Sequence, residues 1–174
     1  MRQDGARWAK KVTRRNQGGP RAERVEPLDA TEEVFWRALM RIVLSLPRRL
    51  DSDLVRSAGI TANEYTTLMC LSEAPDRELR MSDLANAAAL SASRMTRLVD
   101  DLQGRGLVTK RASALDARGN IAKLTPAGLA KLKKAWPTHL ASVRDRVFDH
   151  VDPSTVSKAA QALSEIAEQL EAGR

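Results

Sequence analysis

The chain has 174 residues, of which 43% are hydrophobic but only 3% aromatic, and it carries a formal net charge of +7. That length suits a single domain, and a core drawn from Leu, Val, Ile, Met and Ala suits packed helices better than a strand sandwich, so the expected class is mostly α. One cysteine (Cys70) and two histidines (His139, His150) exclude an internal disulfide framework and leave too few soft ligands for a structural zinc, so neither metal nor cofactor is expected.

Residues 1–26 read as a flexible basic arm, rich in Arg, Gly, Gln and Asn, without helical period and ending near NQGGP. Eight Lys/Arg against Asp4 and Glu23 give the first 24 residues a net +6, so the body of the chain is nearly neutral. Such an arm suits DNA binding and suits a passive solubilising tail equally. The start lacks the apolar middle of a secretion signal, and a cytoplasmic location is expected.

From about Asp29 to Ser57 an apolar period runs through Val34, Phe35, Ala38, Leu39, Ile42, Val43, Leu46 and Leu50 and predicts a helix. Its most apolar run, VFWRALMRIVLSL, carries Arg37 and Arg41, and no stretch of about 18 apolar residues exists to span a membrane. Pro47 falls inside the pattern, which predicts a kink or break near Ser45 to Arg48. Thr61 followed by Glu64 is a capping box that starts a second helix over Ala62 to about Ser72, with Ile60 placed to staple onto Tyr65. Cys70 lies on this helix as a small packed residue, with no nearby cation to activate it.

A short helix is expected from Ser82, and then a second with Ser91 as its N-cap, closed by Gly104 or Gly106. Residues 107–124 read as a hairpin, LVTKRA and IAKL joined by the long tip SALDARGN. Thr125 and Pro126 start a long helix whose stripe passes through Leu132, Trp136, Leu140, Val143 and Val147, with Pro137 expected to bend it. Asp152 and Pro153 start the last helix, whose Val156, Leu163 and Leu170, with Ile166, form a stripe that needs a partner helix.

The Ser91 helix carries the chemistry. Met95, Leu98, Val99 and Leu102 recur at helical spacing and face inward. The opposite face presents Ala92, Ser93, Arg94, Thr96, Arg97 and Asp100: small and hydroxylated residues that admit a duplex, and two guanidiniums able to donate in pairs to guanine or phosphate. A short helix, a tight turn and this second helix fit the helix-turn-helix geometry, whose second helix enters the major groove. The competing reading pairs Arg94 and Arg97 with Asp100 and Asp101 on a solvated face. Residues 91–123 hold seven cations, Lys110 among them, against three acids, and this local +4 favours contact with a phosphate backbone. If the hairpin is a wing, Arg118 at its tip enters the minor groove and Asp116 orients an arginine; a plain solvated turn is the alternative.

The run MSDLANAAALSASRMTRLVDDLQGRGLVTKRASALDARGNIAKLTPAGLAKL resembles the winged helix-turn-helix of the MarR family of bacterial transcription regulators, over roughly residues 30–170. Its marks are RMTRLVDDLQGRGLV, the D-x-R-G wing and LTPAG. The resemblance implies a homodimer interlocked through its first and last helices, binding to a pseudo-palindromic double-stranded DNA site, usually repression, and release by a small-molecule effector. It gives Asp116 and Arg118 the wing roles assigned above. On this view residues 27–59 and 126–174 form a helical dimerisation region and 60–125 a DNA-binding lobe. The DNA-contact candidates are Ser91, Ser93, Arg94, Thr96, Arg97, Lys110, Asp116 and Arg118. Trp36, Trp136 and His139 are the candidate effector contacts, the last two because AWPTHLASVRDRVF is similar to a stretch in actinobacterial-looking members. An enzyme is disfavoured, since no nucleophile elbow, phosphate loop or metal-spaced His/Cys set is present. The closer rival is a winged helix serving only protein interaction.

Overall fold

Every helix start read from local chemistry is visible in the computed structural model, which describes residues 26–112 and 120–172 (the side chain of residue 171 excepted). The expected arm, apart from Glu26, and the wing-tip pair Asp116 and Arg118 lie outside the described residues. The chain divides into two units, Met1–Leu44 and Ser45–Arg174.

Helix α1 (Ala30–Ala58) contains Pro47, and α2 spans Ala62–Glu73. A 3-10 turn (Pro75–Arg77) leads into strand β1 (Glu78–Arg80) and the short α3 (Met81–Ala87). Then follow α4 (Ala92–Gly104), β2 (Val108–Ala112), β3 (Asn120–Leu124), α5 (Pro126–Arg146), a 3-10 turn (Phe148–His150) and α6 (Pro153–Ala172). No described helix is long and apolar enough to cross a membrane.

The expected break at Pro47 does not occur, and α5 likewise runs on through Pro137. A proline removes one amide donor, which strands the carbonyl four residues earlier. Both pairs concerned, Pro47 with Val43 and Pro137 with Lys133, are exposed, so water reaches the stranded carbonyl.

The caps form as read. Thr61 Oγ1 accepts from Glu64 N–H at 3.2 Å while Glu64 Oε2 accepts from Thr61 N–H at 2.6 Å. Thr125 Oγ1 accepts from Gly128 N–H at 3.0 Å, with Pro126 at the first helical position. Asp152 accepts from Ser154 N–H at 2.8 Å, and that bond holds its carboxyl below the ordinary range. At the end of α4, Gly106 takes φ +71 and Leu107 N–H returns to Leu102 O at 2.9 Å, so Gly106 supplies the left-handed stop.

The hairpin has a third strand that the sequence pattern missed: the sheet order is β1-β3-β2, antiparallel throughout. Three residues, Glu78 to Arg80, are too few to show alternation. The core of the second unit lies between this sheet and the helices, with Leu68, Leu84, Met95, Val99, Leu102 and Ala122 completely enclosed. Leu98 packs at its edge.

The buried face of α5 differs from the expected stripe. Gly128, Leu132, Ala135 and Ser142 are buried, whereas Trp136 and Leu140 are exposed. The small residues at 128, 135 and 142 recur every seven positions and let the backbone approach its neighbours closely; the large apolar residues beside them remain outside. A Cβ on Gly128 would fall onto the Leu107 carbonyl. Ser142 Oγ donates to Asp53 of α1, which also accepts from Arg146 Nη2 at 2.7 Å and Nε at 3.1 Å. These hydrogen bonds, Ser142 first, hold the Asp53 carboxyl below its usual range.

Candidate nucleic-acid interface

The turn between α3 and α4 is built from Ala88, Ala89 and Leu90. Ala89 N–H bonds Asn86 O at 3.0 Å and Leu90 N–H bonds Ala85 O at 2.9 Å, the double bond pattern that normally closes on glycine. Ala89 takes φ +52 there, a conformation costly for a residue with a Cβ. Leu90 packs against the core, and Ser91 follows as N-cap, its Oγ accepting from Arg94 N–H at 3.4 Å.

Helix α4 is two-faced. Met95, Val99 and Leu102 are buried, and Ser91, Ala92, Ser93, Arg94, Thr96, Arg97 and Asp100 are exposed. The Thr96 hydroxyl donates to Ala92 O at 2.9 Å, so the backbone engages it and its methyl is left to meet a partner. The guanidiniums of Arg94 and Arg97 have no hydrogen-bond or ion-pair partner among the described residues. The competing reading, in which they pair with Asp100 and Asp101, does not hold: Asp100 pairs with Lys110 of β2, and Asp101 accepts from Arg105 at 3.4 Å.

The other described cations between residues 91 and 123 are committed. Arg105 reaches the buried Glu64 and donates to Gly59 O at 3.1 Å. Arg111 and Lys123 both bind Glu78, at 2.8 and 3.3 Å, and they depress its pKa, the Lys123 hydrogen bond most. Register explains the grouping. Glu78 lies opposite Lys123, and Lys123 opposite Thr109, so Glu78, Lys123 and Arg111 share one face of the sheet. Lys110 lies on the other face with the buried Val108, Ala122 and Leu124, turned toward α4 rather than outward. Sequence reasoning placed Lys110 among the DNA contacts; in the structure its ammonium pairs with Asp100. Glu64 and Glu78 are distant in sequence from the cations they hold, 41 residues from Arg105 and 33 and 45 from Arg111 and Lys123, and no local signal announces them.

The candidate effector contacts fall in two places. Trp36, on the first part of α1, is half exposed and lines an open pocket of about 430 Å3 with Leu28, Thr31, Glu32 and Phe35. In the Ser45–Arg174 unit, the His139 ring lies 4.4 Å from that of Tyr65 and 6.4 Å from that of Trp136. His139 Nδ1 and the Tyr65 hydroxyl are buried with no hydrogen-bond partner among the described residues. Burial pushes the His139 pKa down and that of Tyr65 up, Glu73 adding to the latter. The sequence shows Tyr65 only as the staple partner of Ile60, because nothing local links positions 65 and 139. Cys70 packs against the core, and burial raises its thiol pKa, with Glu73 adding to the effect, as expected of a structural cysteine. Among the described residues no group of three or more His, Cys, Asp or Glu could hold a metal.

A model described as the MarR family matches residues 58–119, which contain the α3–turn–α4 unit and β2. The crystal structure of Sco3205, a MarR family transcriptional regulator from Streptomyces coelicolor solved in complex with DNA, superimposes with a TM-score of 0.78 at 34% identity, covering 83% of this chain and 91% of that one. The chain belongs to the MarR family. A second MarR family regulator, AbsC from the same organism, is also 34% identical, with a TM-score of 0.77 over 85% of this chain and 99% of its own. The transcriptional repressor YetL of Bacillus subtilis (strain 168) is 29% identical over 85 residues, 49% of this MarR-family chain, which spans about half (51%) of that repressor's length. The family is one of transcriptional regulators rather than enzymes, and its winged helix accounts for the three-stranded sheet flanked by α3 and α4.

Proposed function

We propose that this MarR-family chain is a sequence-specific DNA-binding transcriptional repressor that acts as a homodimer on a pseudo-palindromic operator and is relieved by a small-molecule effector. The observation that carries the reading is the state of Arg94 and Arg97. They stand exposed, and unpaired among the described residues, on the capped second helix of a helix-turn-helix, while Arg105, Lys110, Arg111 and Lys123 are held by acids of the fold itself. Ser91, Ser93, Thr96 and the two arginines are the direct contacts, and Lys110 braces the wing against the reading helix. Asp116 and Arg118 retain the wing-tip roles.

The dimer is supported by apolar surface that one copy leaves exposed. On α6, Leu163, Ile166 and Leu170 are all exposed, Leu170 by 69%; in the Met1–Leu44 unit so are Phe35, Trp36 and Ile42. Contiguous apolar faces of this kind mark interfaces. Residues 27–59 and 126–174 are the dimerisation region and 60–125 the reading lobe. The unpartnered polar atoms of Tyr65 and His139 support an effector that brings its own hydrogen-bonding group.

Footprinting on the region upstream of the chain's own gene tests the reading. Two protected half-sites one helical repeat apart, about 34 Å, are expected, and their loss in Arg97→Ala. Sedimentation that finds folded monomer throughout a dilution series would contradict the dimer.

A further inference from the structure

Four of the six described Lys/Arg between residues 91 and 123 are tied to acids of the lobe, and one of these ties joins the reading helix to the hairpin. Asp100 stands three residues after Arg97 on the exposed face of α4, at a spacing that would let the two pair. Its carboxylate instead binds Lys110 of β2, and Arg97 has no partner among the described residues. The Lys110 side chain is 24% exposed and that of Asp100 51%, so the lysine is the more enclosed partner and the carboxylate stays at the surface, one turn along from Arg97.

We propose that Asp100 is a specificity-determining residue: by holding Lys110 and placing a negative charge on the reading helix one turn from Arg97, it suppresses sequence-independent attraction to DNA and leaves recognition to Arg94 and Arg97. The inference rests on the DNA-reading function proposed above. Its physical basis is the division of labour in nucleic-acid binding. Affinity for any duplex grows with the number of phosphates neutralised, and each one steepens the salt dependence. Discrimination comes from contacts to base edges. A cation neutralised within the protein adds little to the first and nothing to the second. A carboxylate on the reading face disfavours every position where it would meet phosphate without a compensating base contact. Glu78 and Glu64 hold further cations from outside α4, and Asp101 of α4 accepts from Arg105 at the end of its own helix, but Asp100 is the acid that ties a strand cation to α4.

The test measures binding of the full chain to a random-sequence duplex and to a duplex selected by the wild-type protein, across a salt series. Asp100→Asn, at an exposed position and nearly isosteric, is expected to raise affinity for the random duplex several-fold and steepen its salt slope by about one phosphate. The selected duplex gains less, so the ratio of the two affinities falls. The double variant Asp100→Asn/Lys110→Gln, equal in charge to the wild-type pair, returns to the wild-type slope. The proposal is overturned if Asp100→Asn leaves the random-duplex affinity and slope unchanged or weakens both duplexes alike, as loss of a mere brace would. A double variant that keeps the steeper slope overturns it too. Wild-type protein that binds neither duplex overturns the DNA-reading function, and this inference with it.

Discussion

Arg105, at the C-cap of α4, binds Glu64, the third residue of α2, and Glu64 uses its other oxygen to cap the first turn of its own helix. One buried carboxylate thus starts α2 and fixes the end of the reading helix. Because Arg105 also donates to Gly59 O, the contact spans the α1–α2 junction, α2 and α4.

Replacing Glu64 should therefore cost more than a helix cap alone. Glu64→Ala leaves Thr61 N–H uncapped and Arg105 without its buried acceptor, an expected loss of about 2–4 kcal/mol. Glu64→Gln keeps an oxygen for Thr61 and should lose about half as much. Urea unfolding of the two variants checks both values: equal losses would show that the Arg105 pair alone matters, and no loss in Glu64→Gln that the cap alone does.

Gly128 sits in the first turn of α5, where alanine would ordinarily add about 1 kcal/mol of helix stability. Here the added Cβ would meet the Leu107 carbonyl and approach Leu124 Cδ1 at 2.7 Å, forcing α5 away from the base of the wing. Gly128→Ala is expected to destabilise the fold by about 1–3 kcal/mol despite its better helix propensity. A higher denaturation midpoint would contradict the close approach.

His139 is held neutral by burial against Tyr65, and its pKa lies below the ordinary value of 6.5. The unfolded chain therefore takes up a proton at this site before the folded one does. The stability that the neutral ring contributes is complete above pH 6.5 and lost as pH falls through the folded pKa. The thermal midpoint of the wild type should fall over that window more steeply than that of His139→Phe, which keeps an aromatic ring beside Tyr65. Parallel curves would show that His139 does not titrate in this way.

What could be read in the sequence was whatever a few neighbouring residues decide. Thr61 with Glu64, Ser91, Thr125 with Pro126, and Asp152 with Pro153 each state a helix start within four positions, and each forms. The two-faced character of α4 was equally legible, because its period is local. The buried face of α5 was not, since size rather than hydrophobicity selects it: Gly128, Ala135 and Ser142 permit close approach, and Trp136 does not. The charge pairing was also hidden. Seven cations in residues 91–123 look alike in a list, but whether one is free depends on acids such as Glu78, 33 residues from Arg111 and 45 from Lys123. Only the fold separates Arg94 and Arg97 from Lys110.

That separation is the centre of the account, and selection of duplexes from a random library with the wild-type chain and with Arg94→Ala and Arg97→Ala tests it most directly. The wild type should enrich a pseudo-palindrome with half-sites one helical repeat apart, and each variant should lose base preference at defined positions with a penalty of about 1–3 kcal/mol. No enrichment by the wild type, or the same enriched sequence and affinity in both variants, would contradict the account and leave the winged helix as a protein-interaction module.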